Sequence, residues 1–89
     1  MKMNNNDLKK ITEIKQYLLD PPTTFRLNEY ALVYLKDAVT VLASYPKAND
    51  ITDQFQDLIG QLENKEIMPD ELRSTLKEAG IWISQLTSR

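Results

Sequence analysis

Apolar residues recur along this chain at intervals of three and four, in four separate stretches, and that spacing predicts amphipathic helices. Leu8, Ile11, Ile14 and Leu18 make one narrow stripe, with Lys9, Lys10, Glu13 and Gln16 on the other side. Asn6 or Asp7 is placed to cap this first helix, since a side-chain oxygen there accepts from backbone N–H groups left free in the first turn. Asp20-Pro21-Pro22 stops it, because proline lacks the amide hydrogen and disfavours helix in the residue before it. The second stretch runs from about Asn28 to Ser44. Ala31, Tyr34, Leu35, Ala38, Leu42 and Tyr45 share one face, and Leu32, Val33, Val39 and Val41 widen it over most of the circumference. A helix apolar nearly all round is one covered by several neighbours, so this is the expected central helix. Its length, with Lys36 and Asp37 interleaved, outweighs the strand preference of its valines.

The third helix opens at Asn49 or Asp50, with Asp53 in the first turn, where a negative charge suits the helix dipole. Ile51, Phe55, Leu58, Ile59 and Leu62 form its stripe, and Asn64 and Lys65 are its expected terminators. The fourth begins at Pro69-Asp70-Glu71, a favourable first turn. Leu72, Leu76, Ala79, Ile83 and Leu86 give its core face. Gly80 weakens this helix and offers an alternative end, with Ile81-Trp82-Ile83 then an extended tail. The expected course is helical to about Gln85. Short loops between four such helices imply an all-α, antiparallel four-helix bundle. One domain spans residues 1–89, with residues 1–6 expected to be disordered.

Composition narrows the chemistry. Of 89 residues none is His or Cys and only two are Gly, Gly60 and Gly80. A near-neutral general base, a thiol nucleophile and imidazole or thiolate metal ligands are therefore absent, and no Gly-rich loop exists to cradle phosphate. Ser44, Ser74, Ser84 and Ser88 have no adjacent base, and every acid sits where an exposed helical residue would. The expectation is a protein that is not an enzyme and takes no cofactor or metal. Net charge is −2, too small to imply a nucleic-acid-binding protein, but it is unevenly spread. Residues 1–47 hold seven Lys/Arg against five Asp/Glu, and residues 48–89 hold four against eight. No apolar run approaches the roughly 20 residues that cross a bilayer, and the first residues lack the apolar segment of a signal peptide. With no Cys, this fits a cytoplasmic protein whose membrane contact is at most peripheral.

Several groupings remain as candidates for function. Asp50, Asp53 and Asp57 share one face of the third helix, an acidic patch for a basic partner or a loose hard-cation site. They lack the alternating ligands and central glycine of a calcium loop, which favours an ordinary solvated face. Lys9, Lys10 and Lys15, with Lys2 nearby, give the first helix a basic outer side suited to phosphate or headgroups, but Asp7 and Glu13 interrupt it. Tyr17, Tyr30, Tyr34 and Tyr45 could stack or relay a proton; more often such tyrosines bury the ring and wet the hydroxyl. Trp82 is the most telling aromatic. With Ala79 and Ile83 facing the core, Ile81 and Trp82 cannot both do so. They are a candidate partner-contact patch, against the alternative of a Trp lying across the bundle end as core.

The layout resembles the small four-helix immunity proteins for class II (pediocin-like) bacteriocins. The carrying residues are Leu18-Leu19-Asp20-Pro21 closing helix one, Glu29 opening a helix with Leu35, Ala38 and Leu42, Tyr45-Pro46-Lys47, and Met68-Pro69-Asp70-Glu71-Leu72 with Leu76 one turn on. The resemblance implies a cytoplasmic, non-enzymatic protector acting at a membrane receptor already engaged by the toxin. It puts specificity in the C-terminal half, giving Ile81, Trp82, Gln85 and Arg89 as partner-binding residues in a monomer or weak dimer. A second resemblance competes. Ala38-Val39-Thr40 through Leu58-Ile59-Gly60-Gln61-Leu62-Glu63 is similar to the core of small dimeric helical regulators tied to biofilm and acid resistance. That would imply a regulatory adaptor, although an acidic third helix argues against direct DNA reading, since phosphate contacts need Lys and Arg.

Overall fold

The computed structural model describes residues 3–21 and 26–87, and Arg89 of the expected contact set lies outside them. Four helices account for most of the described chain: α1 (Asn5–Leu19), α2 (Leu27–Leu42), α3 (Asn49–Glu63) and α4 (Pro69–Thr87), with a 3₁₀ turn at Pro46–Ala48 leading into α3. The helix pattern read from periodicity is thus present, and the architecture is an all-α bundle. Contacts between chain-distant residues fix the directions. Tyr45, beyond the end of α2, bonds Asp7 at the start of α1; Lys36 pairs with Glu63 at the end of α3; and Arg73 near the start of α4 reaches Pro21 just past α1. Successive helices therefore run antiparallel.

The α1 helix starts earlier than expected. The cap is Asn4, not Asn6 or Asp7: its Oδ1 accepts from the Asp7 amide at 2.8 Å, and its Nδ2 donates to Asp7 Oδ2 at 3.0 Å. That reciprocal pair satisfies a free first-turn donor and places the Asp7 charge at the positive end of the helix dipole. Asn5 and Asn6 are helical as a result. At its other end α1 stops at Leu19, with Asp20 as the C-cap before the prolines.

The core is built from the expected stripes: Ile11, Ile14 and Leu18; Leu35, Ala38 and Leu42; Phe55 and Leu62; Leu72, Leu76, Ala79 and Ile83 are all buried. Leu8 is not, being 40% exposed one turn before the first buried residue of α1. The α2 helix is less enclosed than its composition suggests. It lies between α1 and α3, just as α1 lies between α2 and α4, and its outer side leaves Val33 55% and Tyr30 45% exposed. Two tight pairs, α1 with α4 and α2 with α3, are joined through α1 and α2; the fourth side, α3 against α4, is the sparsely packed one.

Gly80 explains the tight α1–α4 contact. The helix runs through it to Thr87, and a Cβ at this position would stand 2.8 Å from Leu19 Cγ and 3.2 Å from the Leu19 backbone nitrogen. Glycine is therefore a close-approach residue here, not a terminator. The end of α3 is a true glycine-type stop without glycine. Lys65 takes φ 58°, its N–H donates to Leu62 O at 3.2 Å, and the Glu66 N–H donates to Gln61 O at 2.9 Å, the two bonds of a Schellman cap.

Candidate functional site

The open seam between α3 and α4 is where two of the expected contact residues, Trp82 and Gln85, meet partners that the sequence does not assign to them. Trp82 is half-buried, its ring centred 6.4 Å from that of Phe55 at an interplanar angle of 31°. On a helix a residue three or four positions from core residues sits at the edge of the apolar face, and Trp82 lies in that position between Ala79 and Leu86. It fills part of the gap that the helix backbones leave, and divides the remainder into two clefts. The first, about 220 Å³, has Leu58 and Trp82 as its apolar surfaces and Gln54, Asp57, Gln61 and Thr75 around them. The second, about 170 Å³, is lined by Ile51, Leu86 and Trp82, with Lys47, Asp50 and Gln85 among its polar residues.

Ile81 does not join this group. Consecutive helical residues diverge by about 100°, so with Trp82 turned into the seam Ile81 points outward. It is 44% exposed and lines neither cleft. Gln85 is exposed and lines the second cleft. Sequence reasoning alone misses the α3 half of the site. It puts Asp50 and Asp57 on a solvated face together with Asp53, but in the fold the first two line clefts and Asp53 lines neither. The signal available is the spacing Asp50, Gln54, Asp57, Gln61: a polar stripe at three- and four-residue steps directly beside the apolar one.

Other groups resolve into structural contacts. Tyr17 and Tyr34 stack, with centroids 4.0 Å apart and planes 17° from parallel. The Tyr17 hydroxyl is buried without a hydrogen-bond partner, and burial, followed by the neighbouring Tyr34 and Tyr30, raises its pKa above the usual phenol value. Tyr45 donates to Asp7 Oδ2 at 2.5 Å and accepts from the Asn4 amide at 3.3 Å; the bond to the carboxylate raises its pKa. The four tyrosines are thus divided between two contacts and one exposed ring, Tyr30, and form no continuous relay. A third hollow, about 280 Å³, lies beside Leu19, Asp20 and Pro21, where Arg73 donates to the Pro21 carbonyl at 3.2 Å.

Among the described residues no cluster of three or more Asp or Glu is arranged to hold a metal ion, and no helix is long and apolar enough to cross a membrane. Comparison with protein-family models, with curated proteins and with solved structures finds no match.

Proposed function

We propose that this chain is a non-enzymatic protein–protein recognition module working through its α3–α4 side, and that the process it serves is bacteriocin self-immunity at the cytoplasmic face of a membrane receptor. The observation that carries the first part is Trp82. A large aromatic left half-exposed between two clefts, ringed by amides and carboxylates, has the composition of an interface hot spot rather than of a reaction centre. The chain has neither His nor Cys to supply a base or thiol beside it. The second part rests on the pattern shared with the immunity proteins, whose specificity lies in the C-terminal half, as does Trp82.

The test is protection. Expressed in a host sensitive to class II bacteriocins, the chain is expected to confer resistance to one of a panel, and the Trp82→Ala variant to lose that resistance while remaining folded by circular dichroism. If no member of the panel is neutralised, the immunity reading fails. A stable dimer by light scattering in the same preparation would then favour the regulatory adaptor.

A further inference from the structure

Charge is sorted around α4. Arg73 and Lys77 line the hollow on the α1 side, beside Leu19 and Asp20. Thr75 and Trp82 line the α3 side, and Glu71 and Glu78, one turn from Thr75 and from Trp82 respectively, fall on that same face by helical periodicity. Across the seam α3 adds Asp50 and Asp57. Two carboxylates, Asp50 and Asp57, therefore line the clefts around the apolar surfaces of Leu58, Ile51, Trp82 and Leu86, against the single cation Lys47 among the described lining residues. Glu71 and Glu78 stand on the same face of α4 without lining either cleft. None of these four acids is in an ion pair among the described residues, whereas Glu63, on the α2 side of α3, is paired with Lys36. The two clefts together extend from Thr75 to Leu86 along α4, about 16 Å or three helical turns, with Trp82 between them.

From this we infer that the α3–α4 groove receives a cationic amphipathic helix from another protein, with its apolar face on either side of Trp82 and its Lys or Arg side chains directed at Asp50 and Asp57. Charge complementarity selects this occupant. An anionic or neutral helix would desolvate the rim carboxylates without pairing them, whereas a cation beside them gains Coulomb attraction and, over the indole, a cation–π contact. A length of three turns suits the helix-in-groove mode, in which anchors recur at three- and four-residue spacing. The inference rests on the proposal that this side of the molecule is the recognition surface, and it adds the chemistry of the partner.

Because Trp82 is the sole tryptophan, its emission reports the groove directly. The full chain is titrated with a synthetic Leu/Lys amphipathic peptide of about four helical turns and, separately, with its Leu/Glu counterpart. The expected result is a saturable blue shift with the Lys peptide alone. Affinity should fall about tenfold in Asp50→Asn/Asp57→Asn, and also on raising salt well past the Debye-screening range. The matched-charge control Glu13→Gln/Asp37→Asn, on exposed positions of α1 and α2, should bind as the parent does. No saturable response, an equal response to the Leu/Glu peptide, or equal weakening by the control pair overturns the assignment. So does a concentration-dependent dimer that shifts Trp82 emission unaided, which would make a second copy the occupant. These readouts are independent of protection: a protecting chain that ignores the Lys peptide keeps its function and loses this partner chemistry. A chain that binds the peptide without protecting keeps the groove and loses the immunity role.

Discussion

At the scale of single residues, the question raised by the sequence is whether Trp82 is core or contact, and the answer is that it is both. Its inner edge packs on Phe55 while its outer surface closes two clefts. A fully buried Trp replaced by Ala costs about 3–5 kcal/mol, and an exposed one within about 1. Trp82→Ala is therefore expected to lower the unfolding free energy by about 2 kcal/mol in equilibrium denaturation, between those limits. A loss of about 3–5 kcal/mol would show that the ring is core and not contact. Helical spacing puts Trp82 at the edge of the α4 stripe, and that much is legible in the sequence. Which helix it faces is not, because the wheel gives an angle around one axis and says nothing of where the neighbours stand.

At the scale of elements, the two glycines carry opposite consequences that composition alone presents as equal. Gly60 lies within α3, and a Cβ added there would meet nothing within 4 Å, whereas Gly80 is pressed against Leu19. Alanine gains up to about 1 kcal/mol over glycine in a helix interior. Gly60→Ala should show that gain in full. Gly80→Ala must set it against an overpacking cost of about 1–3 kcal/mol and is expected to be net destabilising, since the Leu19 backbone, and not only its side chain, is in the way. Thermal denaturation of the two variants side by side checks this; a stabilised Gly80→Ala would mean that α1 and α4 can separate freely. Helix boundaries follow local chemistry closely at Pro69 and at Asn64-Lys65. The start of α1 does not, because Asn4, Asn6 and Asp7 are all competent caps. The choice of Asn4 comes with Tyr45, whose hydroxyl bonds both Asp7 and the Asn4 amide from 38 and 41 residues away.

At the scale of the whole molecule, that same Tyr45 contact and the Tyr17–Tyr34 stack tie helices together, and they make stability depend on alkaline pH. Both phenols have pKa values raised by the fold, Tyr17 chiefly by burial and Tyr45 chiefly by its bond to Asp7. The native state therefore holds these protons above the pH at which the unfolded chain, with ordinary phenols near 10, begins to release them. Stability from this source is fully present below about pH 10 and is lost as pH rises through the folded values. Urea midpoints should be flat through neutrality and fall above that point, and the double variant Tyr17→Phe/Tyr45→Phe should fall less steeply. An identical slope in both proteins would remove the tyrosines as the cause. The sequence by itself determined four amphipathic helices, their core stripes and the poverty of catalytic groups, because periodicity, caps and composition are local properties of the chain. Only the tertiary structure decided that α3 and α4 are the loosely packed pair, that Gly80 is a contact residue, and that Trp82 shares a groove with Asp50 and Asp57. Each of these depends on the distance between helix axes, which is set by the summed fit of side chains from all four helices and not by any one stretch of sequence.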